Sequence, residues 1–236
     1  MYNQKRNLII TTTLKREGRA SGIAVLVGVG FVLLTYLLGF ILHPNFESLW
    51  VSIEGIPHIV PPLLILVLVF YFLITPYSDF KWAIQNGISR KTFWQGRIIA
   101  MLLLVIMVWF IAILITLLYR PAFLATAGLI LKSARNTFLT YLSSTLTMMA
   151  IGNGFALLSR KWKWIVGIGG PVIVLICLFY LGMAAVHLGV ESLLDNNLFI
   201  NIMLSTTTWW IVLLIYLLIM LVLTKAFSDR LQLRRD

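Results

Sequence analysis

The chain has little charge and almost none of one sign. Only 11% of its 236 residues are Asp, Glu, Lys or Arg, against about 25% in soluble domains. Eight are acidic and nineteen basic. Cysteine occurs once, at Cys177 inside an apolar run, so no internal disulfide is possible. That thiol reads as a small buried hydrophobe rather than a reactive group. The three histidines are scattered, and His, Cys, Asp and Glu do not cluster as a metal site requires. There is no H-E-x-x-H and no G-x-S-x-G, which removes the commonest hydrolase signatures. There is no G-x-x-x-x-G-K-[ST] either, so the chain does not hydrolyse ATP by the phosphate-loop route. The Gly167–Gly170 run lies in an apolar segment and is not a nucleotide loop.

What is present is hydrocarbon. Apolar residues make up 60% of the chain and the mean hydropathy is +0.96, the composition of an integral membrane protein. Six apolar segments stand out, at about 21–42, 57–76, 98–119, 137–158, 164–187 and 208–224. Together they define a transmembrane domain over 21–226, between an N-terminal segment 1–20 and a basic tail 227–236. The expected fold is an all-α integral membrane protein of six spans. The first span carries Gly22, Gly28 and Gly30, which permit close helix approach. It is too long for a signal-peptide core and should be retained. Gly169-Gly170-Pro171 should kink or divide the fifth. In segment 1–20, Leu8, Ile9, Ile10 and Leu14 among five cations fit an interfacial helix; a frayed basic tail is the alternative. Residues 121–136 are ambiguous: Ala122–Leu131 is apolar but too short to cross, and reads as re-entrant or interfacial.

Charge orients the chain. Sixteen of the nineteen cations fall in 1–20, 77–97, 159–163 and 225–236; Arg120, Lys132 and Arg135 do not. Four acids, Glu47, Glu54, Glu191 and Asp195, fall on the other side. The positive-inside rule then places both termini in the cytoplasm, in the plasma membrane. Cations that border spans, instead of forming one face, argue against nucleic acid and suit anionic membrane lipid. No apolar core carries Asp, Glu, Lys or Arg, which counts against a self-powered carrier. The fourth segment is the most polar, with Thr140, Ser143, Ser144, Thr147 and Asn153. Hydroxyls at this density suit helix packing within a bundle, with contact to a transported molecule as the alternative.

The longest polar stretch between apolar ones, 77–97, has its own grammar. Ser78 can cap a helix, with Asp79 in its first turn. Phe80 and Ile84 share a face. Asn86-Gly87 reads as a helix stop in the left-handed conformation. Ser89 can cap a second helix that runs through Phe93 into the third span. A short helix lying across the membrane surface, exposing Phe80, Trp82 or Ile84, is expected.

The string Asn86-Gly87-Ile88-Ser89-Arg90-Lys91-Thr92-Phe93 resembles the N-G-x-S-R-x-x-x-F-like pattern in the first intracellular loop of permease subunits of the ATP-binding-cassette type-2 exporter family. The resemblance covers the chain loosely, and only this string is at all specific. It implies two six-span permeases, as a homodimer or with a sister permease. It also implies two separate cytoplasmic ATPase subunits that bind ATP and Mg²⁺, so this chain would hold no cofactor and catalyse nothing. The short helix would be the coupling helix. Phe80, Trp82 and Ile84 would be its docking contacts; Asn86, Gly87, Ser89 and Arg90 would shape the turn, and Phe93 closes the string. An amphipathic cargo is expected, peptide rather than lipid or drug, by analogy alone. The competing expectation is a multi-span protein without a transport cycle, either a lipid- or peptide-processing enzyme or an immunity or structural protein.

Overall fold

A computed structural model describes residues 2–42, 56–119, 127–159 and 206–232, with short helical stretches between 161 and 180. Among the described residues every regular element is helical. The order is α1 (Tyr2–Leu42), a 3₁₀ turn (Ile56–Ile59), α2 (Val60–Ile74), α3 (Pro76–Gln85), α4 (Arg90–Tyr119), α5 (Ala127–Leu157) and α6 (Thr206–Arg230). Four segments are long and apolar enough to cross a membrane: Asn3–Ile41, Pro57–Ile74, Arg90–Leu118 and Thr208–Arg230.

Helices outrun apolar runs at several ends. α1 is one helix of 41 residues, with no break between the basic segment and the apolar one. α5 begins at Ala127, ten residues before the expected start at 137, so the latter part of the ambiguous 121–136 segment belongs to it. Lys132, Ser133 and Arg135 end a hydropathy run but do not oppose helical backbone; no proline intervenes, and the one glycine of the stretch, Gly128, stands in the first turn. Residues 120–126, most of the expected fifth span at 164–187 and its Gly-Gly-Pro kink lie outside the described residues.

α5 is the axis of the bundle. It packs on α2, α4 and α6, while α1 packs on α2 and α4. The main core joins Leu64, Leu68 and Phe72 of α2 to Met101, Leu104, Val105 and Val108 of α4 and Leu146 and Met149 of α5. The helices are apolar outside as well as inside: Leu26, Phe31, Ile74, Leu118 and Val222 are all exposed. At Gly152 α5 passes against the end of α2 so closely that an added Cβ would lie 2.6 Å from the carbonyl oxygens of Phe72 and Leu73. A backbone contact of that kind admits no side chain.

α1 runs from the Gly87 end of the bundle to the His58 end. Its Ile9 lies against Gly96 near the start of α4, and its Gly28 against Leu63 near the start of α2. α4 leads away from the Gly87 end, α5 returns, and α6 finishes there, with Arg90 Nη1 donating to the Asp229 carbonyl at 3.0 Å.

Candidate functional site

The site is an elbow of three parts: α3, the turn after it, and the first turns of α4. The helix begins earlier than Ser78. Thr75 is its N-cap residue and Pro76 opens it at the first helical position, where a missing N–H costs least and a fixed φ is already helical. Ser78 instead donates its hydroxyl to the Thr75 carbonyl at 3.0 Å. Asp79 does lie in the first turn.

The far end of α3 closes as a Schellman motif. Gly87 has φ +65°. Its N–H donates to the Ile84 carbonyl at 2.9 Å, and the N–H of Ile88 donates to the Ala83 carbonyl at 3.0 Å. Ile88 and Ala83, the two positions that touch in such a cap, are both buried in one apolar cluster. Asn86 adds a side-chain donation to the Trp82 carbonyl at 2.8 Å. Ser89 then caps α4: its Oγ accepts from the Thr92 N–H at 3.2 Å and meets the Thr92 hydroxyl at 2.8 Å. Two caps back to back leave the intervening turn little freedom.

Beneath this turn the expected docking surface is inverted. Phe80 is 1% exposed and Phe93 is 2% exposed. Their rings meet edge to face with centroids 5.8 Å apart, within a cluster that also takes Ile9 of α1, Ala156 of α5 and Leu231. Phe80 is therefore a brace inside the molecule and not a docking contact on its surface. The i, i+4 spacing of Phe80 and Ile84 marks a shared face but cannot say which body covers it. Trp82 and Ile84 are partly buried, packed against the same cluster. The outward edge of the elbow is polar and basic: Lys81, Gln85, Asn86, Gly87, Ser89, Arg90 and Lys91 are exposed.

A buried charge network fastens the elbow to the bundle. Arg97, 1% exposed, extends Nη2 toward Asp79 Oδ2 at 3.9 Å, a charge contact beyond hydrogen-bonding distance. The same guanidinium donates to Thr75 Oγ1 at 3.2 Å and reaches Asn153 Oδ1 at 3.5 Å. Its carbon lies 5.4 Å from the ring centre of Phe72 and 5.9 Å from that of Phe93. Asn153 passes the connection on, donating to the Thr224 carbonyl of α6 at 3.2 Å. Arg16 of α1 pairs with Asp79 at 3.0 Å and lies 5.6 Å over the Trp82 ring. Lys5, also of α1, donates to the Gly87 carbonyl at 2.6 Å. Glu17, 1% exposed, accepts from the Ser21 hydroxyl at 3.3 Å. Five helices thus meet α3 or its neighbours through charge or hydrogen bonds.

Sequence reading singled out Asn153 but not its partners. Arg97 reads as a loop cation at the start of an apolar run, and Asp79 as a dipole-compensating acid. Glu17 is visible only as the single acid in a basic segment, in helical register with Ile9 and Thr13, which are also buried. The other polar residues of α5 divide. Thr140 and Ser144 donate to carbonyls of their own helix, at 2.9 Å to Asn136 and 2.6 Å to Thr140, the usual resting state of such hydroxyls. Ser143 does the same at 3.1 Å to Thr140. Thr147 also meets the Tyr216 hydroxyl of α6. Among the described residues no three metal-ligating side chains come together.

No protein-family model, curated protein or solved structure matches this chain.

Proposed function

We propose that the chain is a permease subunit of an ATP-driven exporter of the ATP-binding-cassette type. It has six spans and cytoplasmic termini in the plasma membrane. It pairs with a second copy or a sister permease and is worked by two separate ATPase subunits that hold ATP and Mg²⁺. One observation carries this reading. A short helix, closed by a glycine cap and followed at once by the serine cap of α4, stands beside the membrane-crossing bundle with a polar, basic edge outward and its apolar and ionic side fixed inward. Such a part passes force from outside to inside and does no chemistry.

The residues divide the work. Lys81, Gln85, Lys91 and the Asn86-Gly87 turn meet the ATPase, whose matching surface is acidic. Phe80 and Phe93 carry a push on α3 into α4. Arg97 carries it to α2 through Thr75 and to α5 through Asn153. Arg16 and Lys5 carry it to α1. The hydroxyl-bearing α5 faces the pathway, and the cargo is amphipathic, a peptide before a lipid or drug.

The test looks for a phosphate-loop ATPase encoded beside this chain, whose absence counts against the proposal, and reconstitutes that subunit with the chain. Adding the chain should raise ATP turnover. Lys81→Glu with Lys91→Glu should remove that stimulation while leaving the chain folded. Cysteine placed at Gln85 should react with an impermeant maleimide only from the cytoplasmic side. Stimulation unchanged by the charge reversal refutes the docking edge; labelling from outside refutes the orientation and the proposal with it.

A further inference from the structure

At the end of the bundle opposite the elbow, α5 and α6 part around a cavity of about 480 Å³. Its walls are Lys132, Arg135, Thr140 and Ser143 of α5 and Trp209 and Trp210 of α6, with Leu139 and Leu213 deeper along the two helices. The cavity is one membrane thickness from Gly87. α6 ends beside Arg90, and its 25 residues span roughly 37 Å at about 1.5 Å each, against roughly 30 Å of hydrocarbon. A tryptophan pair at that height marks the second bilayer interface.

Three features give the cavity a chemistry. Its lining includes two cations and no carboxylate, and among the described residues neither Lys132 nor Arg135 has an acidic partner. Positive charge beside hydrocarbon is costly without a counter-charge. Arg135 sits over Trp210, its guanidinium carbon 4.6 Å from the ring centre. A cation–π contact leaves the N–H donors of a guanidinium available for hydrogen bonds, and two of them can take a phosphate together. Below the cations the walls turn to Leu139, Leu213 and hydroxyls already bonded within α5. A charged mouth over an apolar floor matches a molecule with an anionic head and a hydrocarbon tail.

We propose that this cavity binds one phospholipid with an anionic headgroup, its phosphate held between Lys132 and Arg135 and its acyl chains along Leu139 and Leu213. The site does not depend on whether an ATPase drives the chain. It lies apart from the basic rim at the elbow end, where loose attraction of anionic lipid needs no cavity.

The full chain is placed in phosphatidylcholine nanodiscs with trace photoactivatable phosphatidylglycerol. Cross-linked peptides are then mapped. Label should concentrate on peptides covering 132–143 and 208–213. It should fall roughly tenfold in the Lys132→Gln, Arg135→Gln double variant, the effect of losing charge-assisted bonds to the head, while Lys132→Arg with Arg135→Lys retains it. Labelling at the α1 peptide 15–19 serves as the internal control for folding and should not change. Equal labelling by photoactivatable phosphatidylcholine, or label unchanged in the double Gln variant, overturns the proposal. Complete displacement by millimolar inorganic phosphate also overturns it, since the site would then take free phosphate and not a lipid.

Discussion

Substitution of Asp79 by leucine removes the only carboxylate paired with Arg97 among the described residues, and the structure sets the size of the loss. Arg97 is 1% exposed and cannot swing into water. Its remaining partners, Thr75 at 3.2 Å and Asn153 at 3.5 Å, are neutral. A buried charge stripped of its counter-ion costs about 3–5 kcal/mol. The reverse change, Arg97→Met, should cost less, because Asp79 keeps Arg16 at 3.0 Å. Arg16→Gln should cost about 0–1 kcal/mol, since its side chain is 45% exposed and its charge is screened. The double variant Asp79→Leu, Arg97→Met leaves neither member of the buried pair uncompensated, and the released Arg16 is 45% exposed and faces water; it should recover most of the loss, as replacement of buried pairs by apolar residues does. The expected order of destabilisation is therefore Asp79→Leu, then Arg97→Met, then Arg16→Gln. The pair should show a coupling energy of about 2 kcal/mol or more. Unfolding in mixed micelles of increasing sodium dodecyl sulfate fraction, followed by circular dichroism, measures all four. If Arg97→Met costs as much as Asp79→Leu, or the two single effects simply add, the network is not organised as argued.

Other perturbations separate bracing from docking. Phe80→Ala should destabilise by about 3–5 kcal/mol in the same assay, as loss of a buried aromatic does; Lys81→Ala, one residue away and exposed, should change stability by less than about 0.5 kcal/mol. Gly87→Ala should cost about 1–2 kcal/mol, because φ is +65° there, and Gly87→Asn should cost less, since asparagine tolerates that region. Gly152→Ala should be worse than a helix-propensity scale suggests, because its methyl would strike the Phe72 and Leu73 carbonyl oxygens at 2.6 Å. A melting temperature unchanged from the parent chain would show that α5 and α2 do not approach so closely.

The elbow was legible where its signals are local. Asn86-Gly87 marks a left-handed stop, and Ser89 marks the following cap, because both depend on residues within one turn. The start of α3 was not legible, since Pro76 reads as the end of an apolar run although proline also suits a first helical position. The helices α1 and α5 are longer than their apolar runs, because hydropathy reports what lipid can cover, while backbone hydrogen bonding continues past the last apolar residue. The burial of Phe80 was invisible for a reason particular to such chains: apolar side chains face both neighbours and lipid, so an apolar stripe no longer separates inside from outside. Asp79 and Arg97 sit on different helices, and nothing in either segment names the other.

The length of α1 carries a mechanical corollary. Its 41 residues extend about 60 Å at about 1.5 Å per residue, twice the roughly 30 Å of hydrocarbon. It touches the bundle near one end through Ile9 and again through Gly28, about 28 Å along the axis by the same rise. A stiff rod held at a fulcrum behaves as a see-saw. With Gly28 as the pivot, a 2 Å sideways shift at Ile9, taken as roughly the scale of helix movements in switching proteins, swings Ile41 about 1.4 Å the opposite way. Under the proposed coupling, motion begun beside Gly87 would arrive at the far end of α1 reversed in sense and reduced by about a third.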